Sequence, residues 1–389
     1  MATSCIPKGI IIGGPTGIGK TDLAVLLAQR LGGELISCDS VQVFTGLCIG
    51  ANKTPTPVPQ HLLDVLHWSE PFTAADFYRE AWSRVKDVIS RDKVPILVGG
   101  TGFYLDWILR GRPGAPPSDP AVLATVERQL EEDADWETSL ARLQRVDEEY
   151  SGILSSNDYY RLKRALTVFE QTGRPLSSFK ERSKDTDMEM DWRCFYLTNS
   201  DRHALLKRID RRCEDMVRTG LVDEVVSLRR EGFDVSCQAG KSIGYQETLS
   251  FLAKLQALEH SARNIDKADE LFVSFLQEFQ SQTRQYTRRQ EKWFYGMPMF
   301  QWIERPSLEA DLPCELVDEI INMYSSSEKD FNSDPAFHKS LAFREQCRGD
   351  SAQCKDRRKR LRTYKSELFL FSNPNTRSAF LKPILDQLE

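Results

Sequence analysis

An α/β fold is predicted: a P-loop core on a parallel sheet, with a helical insertion domain and a helical C-terminal extension. Three observations predict it. Short β-branched runs alternate with segments of helical periodicity, the pattern of parallel strands joined by crossover helices. A glycine-rich loop ending in a lysine stands between the first strand and the first helix. A proline-rich break then leads into a stretch, 121–180, that carries only helical periodicity.

The elements follow in order. Gly9-Ile10-Ile11-Ile12-Gly13 is a β-branched strand cut off by glycines, and Asp22 to Leu31 is the helix behind the loop. Glu34 to Cys38 and Pro95 to Val98 are two further strands, separated by the helical stretch Thr73 to Arg91. These make up the first part of the core, 1–115. Prolines 113, 116, 117 and 120 mark a boundary, so 116–189 is read as the insertion, closed by Thr172-Gly173-Arg174-Pro175. The core resumes over 190–300 with a strand at Arg193 to Leu197 and four helices. The last helix, from about Lys267 to Tyr295, is amphipathic, with Leu271, Phe272, Phe275, Leu276 and Phe279 on one side and Gly296 and Pro298 as its stop. Residues 301–389 are polar and weakly patterned, a helical or partly mobile tail with a basic cluster at 355–362.

Composition narrows the function classes. With 40% apolar and 28% charged residues in a 389-residue chain, the sequence is that of a globular protein, and no apolar run reaches the roughly 20 residues of a spanning helix. The net charge of −5 excludes a generally basic surface, so any nucleic-acid contact must come from a local patch. Nine scattered cysteines without a CxxC pair indicate reduced thiols, and the five histidines show no zinc-ligand spacing. Only eight residues precede the first apolar run, too few for a leader. The cytoplasm is the expected location, with plastid or mitochondrion the alternative if a transit segment is missing from this chain.

Three sites carry chemistry. Gly14-Pro15-Thr16-Gly17-Ile18-Gly19-Lys20-Thr21 fits GxxxxGK[ST] at every required position. Such a loop aims backbone amides and a helix N-terminus at a phosphate chain, Lys20 adds a charge, and the Thr21 hydroxyl can ligate Mg²⁺. The loop specifies a polyphosphate and leaves ATP, GTP and a prenyl diphosphate open. Asp39 and Thr101 follow the second and third strands, at the edge where an open parallel sheet binds its ligand. A carboxylate there can bind Mg²⁺ or accept a proton, or it simply caps a helix; a hydroxyl after two glycines can approach a leaving oxygen, or it is a turn residue. Finally, 283–294 places Arg284, Arg288 and Lys292 on one helical face, with Gln285 and Arg289 beside it. That is either a solvated charged face or a local RNA contact.

The blocks GGPTGIGKT, ISCDSVQVF, IGANK, VPQHLLDV, ILVGGTGFYL, NDYYRLKRAL, TGRPLS, DRxxLxxRI with DMVRTGLVDEV, SIGY and TRQYTRRQEKW occur in one order over about 9–295. In this the chain resembles the tRNA dimethylallyltransferases, also called tRNA isopentenyltransferases. The resemblance implies transfer of a dimethylallyl group from dimethylallyl diphosphate to N6 of the adenosine 3′ of the tRNA anticodon. It implies Asp39 as general base, Thr101 as donor to the diphosphate oxygen, and Gly14, Thr16, Gly17, Gly19, Lys20 and Thr21 as the diphosphate and Mg²⁺ site. Ser40, Gln42, Arg161, Arg164, Arg284, Gln285, Arg288 and Arg289 are the tRNA contacts it implies, in an enzyme that works as a monomer away from membranes. Three alternatives remain: an adenylate isopentenyltransferase acting on free AMP, ADP or ATP, more remotely a P-loop kinase, and an RNA-binding relative with weakened chemistry. The insertion, with Arg161 and Arg164, argues for tRNA, since a free nucleotide needs no second domain. One departure stands out: where the family reads GYRQ, this chain has Gly244-Tyr245-Gln246-Glu247, so a glutamine replaces an arginine expected at the substrate phosphates, with Lys241 the first candidate to replace it. The C-terminal zinc finger of many eukaryotic members has no counterpart in this sequence.

Overall fold

The computed structural model describes residues 6–183, 188–258, 265–327, 331, 344 and 364–387. The basic cluster at 355–362 lies outside them. The chain divides into two compact units, Met1–Asp106 with Met188–Glu389, and Trp107–Asp187.

The first unit is built on β1 (Lys8–Gly13), α1 (Lys20–Leu31), β2 (Gly33–Ser37), β3 (Gln60–His61), α2 (Ala74–Ser90) and β4 (Val94–Val98), after which α3 (Gly102–Arg110) leads toward the second unit. Ile10, Ile11 and Ile12 are all fully buried, as expected of a central strand covered on both faces. β1 pairs in parallel with β4, and β4 with β2. Ile12 and Ser37 are both opposite Val98, so the loops that follow these three strands leave the sheet at one edge. α1 begins on Gly19 at φ 95° without a side-chain cap and ends on Gly32 in the left-handed region. α2 begins with a reciprocal capping box between Thr73 and Asp76 and buries Phe77, Tyr78, Ala81, Trp82, Val85 and Val88 at helical spacing.

The second unit contains β5 (Arg112–Pro113), α4 (Pro120–Glu131), α5 (Trp136–Val146), α6 (Glu148–Ser151), α7 (Tyr159–Thr172) and β6 (Arg182–Ser183), the last pairing antiparallel with β5. Val126, Trp136, Leu143, Leu162, Ala165 and Leu166 form its core. Asp119, Asp135 and Asp158 each accept backbone amides as N-caps, so every principal helix here starts on an aspartate.

Back in the first unit come β7 (Asp191–Thr198), α8 (Arg202–Arg218), α9 (Leu221–Arg230), α10 (Tyr245–Gln256), α11 (Ile265–Tyr295), β8 (Gln301–Glu304), α12 (Cys314–Ser325) and α13 (Pro374–Gln387). β7 adds to β1, giving a six-stranded sheet in the order β3-β2-β4-β1-β7-β8. β8 was not expected: the weakly patterned segment after 300 holds an edge strand parallel to β7, with Gln301 opposite Phe195. Its signal is hard to see in sequence because only four residues pair and three of them, Gln301, Trp302 and Ile303, are buried, which abolishes the alternation of a half-exposed strand.

Candidate functional site

A cavity of about 1170 Å³ opens at the C-terminal edge of the sheet, lined by Thr16, Gly17, Gly19, Lys20 and Thr21 after β1, Asp39 and Gln42 after β2, and Gly99 and Gly100 after β4. α8 and α11 supply further charged and polar lining, including Lys207, Arg208, Arg211, Arg212, Tyr286 and Gln290.

The loop after β1 is held from behind. Arg208 donates through Nε to the Gly17 carbonyl at 2.8 Å, and Arg305 donates through Nη1 to the Ile18 carbonyl at 2.9 Å. A side chain at Gly19, which has φ 95°, would collide with that Arg305 guanidinium. The first amides of α1 lack intrahelical partners and receive no side-chain cap, so this helix start offers donors to an anion. Lys20 Nζ rests on the Pro15 carbonyl at 2.8 Å. Burial, and then the nearby Arg212, push its pKa down to about 7, with Asp39 opposing them.

Asp39 is half-buried, and its Oδ1 accepts the amides of Val41 at 2.8 Å and Gln42 at 3.3 Å. It therefore caps a turn rather than a helix, while its carboxylate remains on the cavity. Thr101 follows the lining residues Gly99 and Gly100 but is not itself part of the lining; its Oγ1 is buried without a partner at hydrogen-bond geometry, near the phenol of Tyr286. Burial pushes the Tyr286 hydroxyl up to about 12, so it remains a proton donor through the neutral range. Gln290 reaches both loops, accepting the Thr16 amide at 2.9 Å and donating to the Gly100 carbonyl at 3.1 Å.

The structure redistributes the expected RNA contacts. Arg284 is buried and paired with Asp210, which corrects its expected place on an exposed basic face. The exposed face of α11 is instead Gln285, Arg288, Arg289, Lys292 and Trp293. Arg164 is likewise committed inside the second unit, donating to the Pro116 carbonyl and Ser118 Oγ, while Arg161 is exposed beside Asp158 at 3.5 Å. Gln42 lines the cavity with its amide anchored between Ser37 Oγ and the Ala51 carbonyl; Ser40 is half-buried and is not part of the lining. Gln246 and Lys241 are exposed and also outside the lining. The cation beside Lys20 and Asp39 is Arg212, so the substitution at 246 leaves this cavity with its positive charge.

Arg208, Arg211, Arg212 and Arg305 are among the residues that sequence reasoning missed, with Lys207, Tyr286 and Gln290. The first three were legible, since i, i+3, i+4 spacing in Arg208-Ile209-Asp210-Arg211-Arg212 puts them on one face of α8. Tyr245 does structural work: its hydroxyl donates to Glu224 at 2.6 Å, and that carboxylate gathers the amides of Cys48, Ile49 and Gly50, fixing the loop that brings Ala51 and Asn52 to the cavity.

Comparison with known proteins agrees with this geometry. The family described as IPP transferase matches residues 42–297, and that described as isopentenyl transferase matches 8–62. A tRNA dimethylallyltransferase 1 of Citrifermentans bemidjiense is 39% identical over 309 residues, covering 78% of this chain and 94% of the relative. tRNA dimethylallyltransferase 9 of Arabidopsis thaliana is 34% identical over 346 residues, 79% of this chain and 73% of the relative. Among solved structures, a eukaryotic dimethylallyltransferase acting on tRNA superposes with TM-score 0.63 at 26% identity, covering 84% of this chain and 80% of that one. The tRNA isopentenylpyrophosphate transferase of Bacillus halodurans gives 0.56 at 27% identity, with coverage of 86% and 98%. More than half of the chain falls within one family match, and a relative 39% identical is covered over 94% of its length: the chain belongs to the tRNA dimethylallyltransferase family.

Proposed function

We propose that this chain transfers a dimethylallyl group from dimethylallyl diphosphate to N6 of the adenosine 3′ of the tRNA anticodon, releasing diphosphate. The observation that carries the reading is that the Lys20 loop and the Asp39 carboxylate open onto one cavity with Arg212 beside both. The amine lone pair attacks C1 of the dimethylallyl group, the C1–O bond breaks, and diphosphate leaves with the bonding electrons. Asp39 takes the proton that N6 sheds. Lys20, Arg212 and the amides at the start of α1 meet the charge that develops on the diphosphate, and the Thr101 hydroxyl supplies a further donor.

A Mg²⁺ ion fits the donor set on the cavity wall. The Thr21 hydroxyl is a hard oxygen donor there, and Mg²⁺ takes few protein ligands when diphosphate oxygens and water complete its shell. Bound there, it would neutralise charge on the leaving diphosphate. The exposed residues Gln285, Arg288, Arg289 and Lys292, with the exposed ring pair Phe103 and Trp293 at 6.0 Å, suit an anticodon loop whose target base must leave its stack to be modified.

Labelled dimethylallyl diphosphate offered in parallel with tRNA, AMP and ATP tests the reading. Label is expected in tRNA alone; transfer to free nucleotide at a comparable rate would replace it with the adenylate reading.

A further inference from the structure

Gln290 sits on α11, which also brings Tyr286 to the cavity, with Thr287 and Phe294 buried on either side of it. Its side chain is 5% exposed and is the meeting point of two loops that leave different strands. The Oε1 atom accepts from Thr16 in the loop after β1, and Nε2 donates to the Gly100 carbonyl in the loop after β4. A side chain at Gly100 would collide with that same amide, so the glycine there makes room for the clamp as well as for a ligand. The task needs an acceptor and a donor on one rigid planar group. Glutamate offers only acceptors at neutral pH, lysine only donors, methionine neither, and asparagine is a methylene shorter.

We propose that Gln290 is a positioning residue of the transfer reaction: its amide fixes the separation between the phosphate-binding loop and the Gly99-Gly100-Thr101 loop, so that the diphosphate meets the Thr101 hydroxyl in one geometry. The proposal rests on the reading above, in which the diphosphate occupies the Lys20 loop and Thr101 donates to it. It goes beyond that reading by assigning the spacing of the two loops to a residue that need not touch the substrate. A displacement of the order of 1 Å between reacting groups costs about 10²-fold in rate while leaving much of the binding intact.

Steady-state kinetics with tRNA and dimethylallyl diphosphate on Gln290→Met, Gln290→Glu and Thr101→Ala tests this, with wild type in parallel and thermal melting to check folding. Gln290→Met keeps the volume and loses both hydrogen bonds. Its kcat is expected to fall about 10–10²-fold with KM for dimethylallyl diphosphate within about threefold of wild type. Gln290→Glu provides a readout that a merely structural role would not move. As a carboxylate it keeps the Thr16 bond but faces the Gly100 carbonyl with a second acceptor; protonated, it donates to that carbonyl and restores the clamp. The ratio of its kcat to that of wild type should therefore rise as pH is lowered from 8 to 6, because burial raises the pKa of the introduced carboxyl. Asp39, Lys20 and Arg212 also face this cavity and the Tyr286 phenol adjoins the side chain at 290; dividing by the wild-type rate at each pH removes what they contribute to both enzymes. A Gln290→Met enzyme with kcat within about twofold of wild type, or a Glu-to-wild-type ratio flat with pH, overturns the proposal. If Thr101→Ala turns over normally while Gln290→Met is slow, the clamp stands and the role given to Thr101 falls. If Thr101→Ala is slow and Gln290→Met is not, the reading of the site stands and the clamp falls.

Discussion

Arg284 on α11 and Asp210 on α8 form an ion pair inside the core, Nη1 to Oδ1, with both residues buried. The hydroxyl of Tyr364 donates to the other carboxylate oxygen at 2.9 Å, and its ring lies 5.3 Å from the guanidinium. Arg284 is thus an internal tie between two helices and the C-terminal segment. Removing one partner of such a pair leaves a buried charge uncompensated, which typically costs about 3–5 kcal/mol. Arg284→Ala is expected to lower unfolding stability by about that much in denaturant titration, and a variant of unchanged stability would contradict the buried pairing.

The exposed basic face of α11 predicts a different outcome. Neutralising Arg288, Arg289 and Lys292 together to glutamine should leave melting nearly unchanged, since exposed charges contribute little to stability. Binding of tRNA should weaken, and its log–log salt slope should flatten by about two to three units. Filter binding across a salt series measures this; an unchanged slope would mean that the RNA contact lies elsewhere.

Asp39 allows its two roles to be separated. Asn at this position retains an Oδ1 able to accept the amides of Val41 and Gln42, so the turn survives, but the group no longer accepts a proton. Asp39→Asn should bind pyrophosphate normally and turn over about 10²–10⁴-fold more slowly. Asp39→Ala should show the same loss of rate together with a lower melting temperature. If Asn is active and only Ala is not, the carboxylate serves the turn alone.

Lys20 makes a prediction in pH. With its pKa pushed down to about 7, the side chain of the free protein is largely neutral at pH 8, whereas a bound diphosphate favours the ammonium form. Binding must then take up a proton, and affinity must fall as pH rises above 7. Lys20→Arg carries a guanidinium that stays charged, so its affinity should depend less on pH over the same interval. Parallel dissociation constants from pH 6 to 9 remove the ligand's own ionisation from the comparison, and coincident profiles would contradict the lowered pKa.

How much of this could be read from the sequence depends on how local each signal is. The loop from Gly14 to Thr21 is contiguous, and its strand and helix neighbours are strongly patterned, so both element and chemistry were legible. Asp39 and Gly99-Gly100 were legible because the ends of parallel strands converge on one edge. The rotation of α11 was not. Its charges recur every three to four residues, and a shift of one position, from Arg284 to Gln285, exchanges a core ion pair for an exposed contact. Arg305 was beyond reach too, since its partner, the Ile18 carbonyl, is a backbone atom 287 residues away.

Glu214 predicts that the end of the chain belongs to the site. This carboxylate is fully buried on α8 and accepts the amides of Phe369, Leu370 and Phe371 at 2.7–3.1 Å, a cluster of charge-assisted bonds that holds an otherwise irregular segment against the core. Beyond it, Phe371 packs on Phe272, and Arg377 makes a two-pronged pair with Asp269. The consequence for function is that Phe369 becomes part of the cavity wall, along with Leu308 and Glu309, from a stretch outside the family match at 42–297. Glu214→Ala leaves three amides without their acceptor, so segment 364–371 should detach while α11 and α13 keep their apolar contacts. Limited proteolysis is expected to acquire a new early cut between 364 and 371, and KM for dimethylallyl diphosphate should rise severalfold with a smaller change in kcat. Phe369→Ala, which keeps the carboxylate and its amides, should reproduce the rise in KM without the new cut. If both variants keep the wild-type KM, Phe369 covers the cavity without shaping what binds there.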